Sequence, residues 1–192
     1  METETDFLRL LQAHQTDLWR FIRSGVRTQS EAEDILAETV ACAYEGFTKL
    51  RDKQAFLSYV FTIASRTIKK RAWKRRLFIE VSADFNCDEY CNDGVPPDIQ
   101  ADIQFLREAL SRLPDKTREA VILFEIVGLS LNEIQTIQGG SLSGVKSRLV
   151  RGRKHLARIM GVENPTHAEE RLDGNRYEFT ADVLPTIAEA GL

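Results

Sequence analysis

The residues best suited to chemistry in this sequence are cations interleaved with aromatics. Residues 66–76 place Arg66, Lys69, Lys70, Arg71, Lys74, Arg75 and Arg76 around Trp73, seven positive charges with no acid among them. Residues 146–158 carry six more, on Lys146, Arg148, Arg151, Arg153, Lys154 and Arg158. Cations of this kind neutralise phosphates, and an exposed aromatic face stacks on an unpaired base for roughly 1–3 kcal/mol. The pattern therefore suits a nucleic acid that is partly single-stranded. Bond-making chemistry has no comparable candidate. His14, His155 and His167 are scattered, and neither a phosphate-cradling glycine loop nor a metal-ligand cluster is present in the sequence. Cys42, Cys87 and Cys91 are an odd number without an export signal, which argues against a disulfide framework. Cys87 and Cys91 read as loop thiols in preference to a zinc pair, since no histidine stands near them. The expectation is a binding protein, not an enzyme, with no cofactor and no metal.

The elements that must position these residues follow from periodicity and punctuation. A chain of 192 residues accommodates two small helical units, and the net charge of −3 hides a strong segregation of sign. Residues 81–102 hold six acids and no base, together with Gly94, Pro96 and Pro97. This reads as an acidic flexible linker, and the expected fold is all-α: a domain over 1–80, a linker over 81–98, a second domain over 99–161 and an acidic tail over 162–192. No apolar run approaches the length of a membrane span, and the acidic start Met1-Glu2-Thr3-Glu4 is the wrong charge for a signal peptide. The prediction is a cytoplasmic chain without direct membrane insertion.

In the first domain, Phe7, Leu11, Leu18 and Ile22 recur at helical spacing before Ser24-Gly25. Ser30 and Glu33 form a capping-box pair opening a second helix with the apolar stripe Leu36, Val40, Ala43 and Phe47. Opposite that stripe the helical wheel places Glu31, Asp34, Glu38 and Glu45, an acidic ridge. Like charges four apart disfavour a helix, so the ridge points to a basic partner surface or to a solvated face. A third helix begins near Ala55, with Phe56, Val60, Ile63, Ala64 and Thr67 inward and Tyr59, Thr62, Arg66, Lys69, Lys70 and Trp73 outward.

In the second domain, Ile103, Leu106, Leu110 and Leu113 mark a helix ended by Pro114, and another runs through Val121, Phe124 and Val127 to Gly128. Ser130 and Glu133 form a capping box, Gly139-Gly140 a turn, and Ser141 a cap for a last helix with Leu142, Val145, Leu149 and Leu156 inward. This is a helix-turn-helix pattern, in which the second helix enters the major groove. Ser143, Lys146 and Ser147 stand where base edges are reached, with Arg148 on the flank; Arg151, Lys154 and Arg158 stand where phosphates are met.

Taken together these segments resemble the extracytoplasmic-function sigma factors of RNA polymerase. Glu31-Ala32-Glu33-Asp34-Ile35-Leu36-Ala37-Glu38-Thr39 is similar to the family's polymerase-binding segment, and residues 56–76 to the segment that melts and reads the minus-ten element. Residues 106–156 are similar to the minus-thirty-five-reading domain, through Leu113-Pro114-Asp115-Lys116-Thr117-Arg118-Glu119, Gly128-Leu129-Ser130 and Val145-Lys146-Ser147-Arg148-Leu149. The resemblance implies that Asp34 and Glu38 face the coiled-coil clamp of the polymerase's largest subunit. It also implies promoter DNA as ligand, an anti-sigma partner that holds the protein inactive, and no catalytic residue. The chain departs from the family pattern at Ala37 (commonly glutamine), Val40 (a large aromatic), Arg66 (asparagine), Gly140 (an apolar residue), Gly144 (threonine) and Gly152 (alanine). The mid-helix glycines predict a soft second domain. The alternatives are a sigma-like decoy for an anti-sigma partner, and a stand-alone helix-turn-helix regulator. For the acidic tail two readings stand: a disordered segment, which is favoured, and one that docks on a basic helix and restrains DNA binding.

Overall fold

The computed structural model describes residues 2–78 and 97–161, and the chain divides into two compact units between Tyr90 and Cys91. Among the described residues there are seven α-helices and no strand, as the sequence predicts. The tail over 162–192, Cys87, Cys91 and nearly all of the acidic linker lie outside the described residues.

Unit 1 is a three-helix bundle of α1 (Glu2–Gly25), α2 (Gln29–Phe47) and α3 (Phe56–Phe78), the last entered through a short 3₁₀ turn at Lys53–Ala55. Its core joins Leu18, Phe21 and Ile22 of α1, Ile35, Ala43 and Phe47 of α2, and Phe56, Val60 and Phe61 of α3, all buried. Phe7, Phe47 and Phe56 meet edge to face with ring centroids 5.3–5.8 Å apart, the arrangement favoured by the aromatic quadrupole. Two details of α2 differ from the sequence reading. Its cap is Thr28, whose hydroxyl accepts from the Glu31 backbone N–H at 3.1 Å, not Ser30. The buried stripe is Ala32, Ile35, Thr39, Ala43 and Phe47, while Leu36 and Val40 are only half-buried. The helix packs against both α1 and α3, so small residues that a hydrophobicity wheel ranks low are drawn inside.

Unit 2 comprises α4 (Pro97–Ser111), α5 (Asp115–Val121), α6 (Leu131–Gln138) and α7 (Leu142–Met160). The first of these begins at Pro97, inside the stretch expected to be linker; proline at a helix start lacks an N–H that would be unpaired there anyway. The α5 helix runs on into one π turn at Ile122–Ile126, marked by the Val127 N–H donating to the Ile122 carbonyl at 3.1 Å. Gly128 then takes φ +79°, a left-handed conformation that suits glycine. The expected box at Ser130 is present in both directions: Ser130 Oγ accepts from the Glu133 N–H, and Glu133 Oε2 accepts from the Ser130 N–H at 2.8 Å. Ile103, Leu106, Leu110, Leu113, Ile134, Val145 and Leu149 are buried as their periodicity predicts.

Gly152 reverses its sequence reading. It is buried against α5, and a Cβ there would fall 2.5 Å from Val121 Cγ2 and 3.1 Å from Thr117 Cγ2. The glycine lets α7 lie close on α5, so the position serves packing and is not a soft spot in the helix.

Candidate nucleic-acid interface

The α3 helix presents most of its predicted outer face to solvent. Trp73 is 62% exposed, an extreme for a side chain of its size, and Arg66, Lys69, Lys70 and Lys74 are exposed around it. Arg76 lies in the last turns of the same helix. Two members of the predicted face turn elsewhere. Tyr59 is half-buried and its hydroxyl donates to the Ala43 carbonyl of α2 at 3.1 Å; burial, and then the neighbouring Cys42, push its phenol above the ordinary value. Thr62 is also half-buried, and its hydroxyl donates back to the Ser58 carbonyl at 2.6 Å.

The acidic ridge of α2 does not stand opposite the interior as a bare solvated face. Its acids reach across to α3. Arg71 donates to Asp34 at 3.2 Å and to Glu38 at 3.1 Å, Lys70 pairs with Glu38 at 3.3 Å, and Arg75 donates to both oxygens of Glu31 at 3.1 Å. As the α2 number rises the α3 number falls, the order expected of antiparallel helices. Burial raises the Glu38 pKa, but the hydrogen bonds and charges of Arg71 and Lys70 outweigh it and hold the carboxyl below its ordinary value. For Arg71, burial disfavours the cation, yet Asp34 and Glu38 leave the guanidinium above its ordinary value. Glu45 is exposed and stands apart from these pairs.

Beside the ridge, α1 and α2 leave a groove of about 590 Å³ lined by Leu8, Leu36, Ala37, Val40, Ala41 and Tyr44. Leu8 and Tyr44 are each 48% exposed. Leu36 and Ala37 belong to the segment that resembles the family's polymerase-binding one, and Ala37 and Val40 are departures from its pattern, but the sequence names no groove; the side chains at those two positions help leave it open. An exposed tyrosine and leucine on one bundle edge were the available signal, visible only once α1 and α2 are set side by side.

On α7, Ser143, Ser147, Arg151, Lys154 and Arg158 are exposed and Lys146 is half-exposed. The turn before it is built from Gly139 and Gly140 at φ +71° and +89°, and Ser141 caps α7 by accepting from the Gly144 N–H at 3.1 Å. Gln135 Nε2 donates to the Gly140 carbonyl at 3.0 Å, fixing the turn against α6. Two cations of the basic run are turned inward. Arg153 donates to Glu125 of the π turn at 2.6 Å and lies over the Phe124 ring, 5.3 Å from its centroid. Arg148 is half-buried, with Nε and Nη2 shielded from solvent.

Family models for sigma-70 region 2 and sigma-70 region 4 match residues 10–77 and 104–156 respectively. The sequence is 30% identical over 158 residues to the ECF RNA polymerase sigma factor SigM of Mycobacterium tuberculosis, covering 82% of this chain and 79% of that one. The chain belongs to the extracytoplasmic-function sigma factors.

Another member, SigV of Bacillus subtilis, is 32% identical over 146 residues, covering 76% of this chain and 85% of its own. The fold is shared with the sigma factor RpoE of Bartonella quintana, solved with the anti-sigma factor NepR, at a TM-score of 0.64 and 23% identity over 85% of this chain and 99% of that one. It is shared too with CnrH, solved with the cytosolic domain of CnrY, at a TM-score of 0.61 and 18% identity over 82% and 89% of the two chains. As a sigma factor the chain is a transcription initiation factor that directs RNA polymerase to promoters. The region 2 match coincides with unit 1 and the region 4 match with unit 2, so the α2 ridge and the α3 cations fall in one region and the helix-turn-helix in the other. Among the described residues no helix is long and apolar enough to cross a membrane, and no group of three or more His, Cys, Asp or Glu is placed to hold a metal.

Proposed function

We propose that the two units of this sigma factor divide promoter recognition between α3 and α7, while α2 engages core polymerase. On α3, Arg66, Lys69, Lys74 and Arg76 would track the phosphates of the opened minus-ten strand while Trp73 stacks on an unpaired base. On α7, Ser143, Lys146 and Ser147 read base edges of the minus-thirty-five element, and Arg151, Lys154 and Arg158 hold the phosphates. Arg148, on the flank of the same helix, joins these DNA contacts. The observation that carries the reading is the exposed Trp73 indole set among exposed cations on a helix whose other face is core.

Glu31, Asp34, Glu38 and Glu45 form the polymerase-facing side, and the groove beside them extends it with an apolar anchor point. A basic, partly apolar helix surface of the polymerase fits both. Regulation by an anti-sigma partner is supported by the neighbour RpoE, solved with the anti-sigma factor NepR. The chain works in the cytoplasm, needs no cofactor and catalyses nothing itself.

The test is run-off transcription by core polymerase loaded with this chain, across a library of candidate promoters, beside a variant carrying Asp34→Ala and Glu38→Ala. Selective initiation by the wild type and its loss in the variant are expected. If the wild-type chain neither binds core nor initiates, the decoy or stand-alone regulator reading replaces this one; a palindromic duplex footprint without polymerase selects the latter.

A further inference from the structure

The cations of α3 and the acids of α2 are assigned to different ligands, yet they occupy each other. Arg71 spends its donors on Asp34 and Glu38, Lys70 lies on Glu38 and Arg75 is held by both oxygens of Glu31. Four close contacts thus tie three of the seven positive charges of residues 66–76 to three of the four acids of the ridge. In each pair a carboxylate occupies donors that could otherwise serve a phosphate. A basic surface approaching α2 competes with α3 for the same oxygens.

The pairs are poised for exchange. Asp34 is 66% exposed and Lys70 60%, and partly exposed ion pairs contribute little net stability, so a stronger partner displaces them first; Arg75 and Glu31, 32% and 18% exposed, form the most sheltered pair. Arg71 is the pivot, because its guanidinium serves two acids from one side chain. If a basic ligand on α2 draws Asp34 and Glu38 away, Arg71 and Lys70 are released toward phosphate, and linkage makes the effect reciprocal.

We propose that the α2 carboxylates Glu31, Asp34 and Glu38 act as an internal phosphate mimic, a latch that withholds Lys70, Arg71 and Arg75 from DNA until a basic partner surface claims the acids. The proposal rests on the reading of α3 as a DNA surface and adds to it a coupling between polymerase capture and DNA capture within unit 1. It also gives the acids two opposite effects: they support transcription with polymerase and suppress DNA binding without it.

The latch is tested on the full chain alone, without polymerase, by fluorescence anisotropy with a labelled oligothymidylate across a salt series. The variant Asp34→Asn with Glu38→Gln keeps shape and removes charge. Counterion release gives a slope of about 0.7 in log K per log salt for each single-strand phosphate contact, hence about 5-fold per released cation near 0.1 M salt. Release of Lys70 and Arg71 together should tighten binding by about 5- to 25-fold and steepen the slope by roughly 0.7–1.4. A control carrying Glu4→Gln and Glu33→Gln removes the same charge from α1 and α2 without touching these pairs, and should shift affinity only slightly. Circular dichroism melts verify folding; if the double variant is unstable, Asp34→Asn, which loosens only Arg71, should still tighten binding beyond a single-charge control, Glu33→Gln. An affinity and slope no different from the matched control overturn the latch while leaving the transcription result standing, so the two readings fail separately.

Discussion

Replacing Gly152 with alanine should weaken unit 2, against the ordinary expectation for a glycine inside a helix. Carbon atoms pack at about 3.5–4.0 Å. A Cβ on Gly152 would lie 2.5 Å from Val121 Cγ2 and 3.1 Å from Thr117 Cγ2, with both neighbours buried. Close to 1 Å must be found between α5 and α7, and neither a valine methyl nor a threonine methyl is the loose end of a flexible chain. Overpacking of this kind costs about 1–3 kcal/mol, while alanine returns only about 0.5–1 kcal/mol of helix propensity. A net loss of about 1 kcal/mol, and at most about 2.5 kcal/mol, follows, equivalent to amide exchange roughly 5-fold and at most about 70-fold faster in α5 and α7 wherever global opening of unit 2 controls exchange. Hydrogen exchange followed by mass spectrometry reads those helices directly, which a melt of a two-unit chain does not. In a Val121→Ala background the closest contact is gone and only Thr117 Cγ2 at 3.1 Å remains, so the same glycine substitution should cost less, a coupling of about 1 kcal/mol or more. Slower exchange after Gly152→Ala alone, as propensity by itself demands, would show the close approach of α5 and α7 to be wrong.

Trp73→Ala should weaken oligothymidylate binding by about 5- to 150-fold, the range for one stacked base, whereas Tyr59→Phe should leave it nearly unchanged and lose about 1 kcal/mol of stability with its bond to Ala43; titrations of both variants check this. Because the folded Glu38 carboxyl is held below its ordinary 4.5, the folded chain binds fewer protons than the unfolded chain in that range, so the bonds of Glu38 to Arg71 and Lys70 contribute fully above about pH 4.5. Their contribution fades as pH falls through the lowered folded value, and the acid-side loss of protection in α2 and α3 should be flatter in Glu38→Gln, as hydrogen exchange corrected for intrinsic rate will read across pH.

Helix boundaries set by local chemistry were the part most legible in the sequence. Ser130 with Glu133, Ser141 and Gly128 each perform the role their type and spacing announce, because a cap or a left-handed turn involves only a few neighbouring residues. The start of α2 was misread for the same local reason: Thr28-Glu31 and Ser30-Glu33 are overlapping boxes, and a four-residue pattern does not rank them. What escaped altogether depends on which neighbour a helix meets. The acids of α2 lie 32–44 residues from the cations they bind, and a wheel drawn for one helix cannot know that a second presents its charges to the same edge. Gly152 shows this most plainly, since propensity ranks it a defect until α5 is seen against it.

The π turn at Ile122–Ile126 amounts to one residue added to a helix without lengthening the path. Each helical residue advances the chain by about 100° and 1.5 Å. Removing one residue there, so that α5 runs on as a regular helix, would swing everything downstream through most of a third of a turn. Glu125 would lose Arg153, and the Gly128 bend would send α6 and α7 off in another direction. A single-residue length change, harmless in most connections, would here re-aim the whole helix-turn-helix. The bearing of the reading head is set by the phase of α5, upstream of the motif that does the reading.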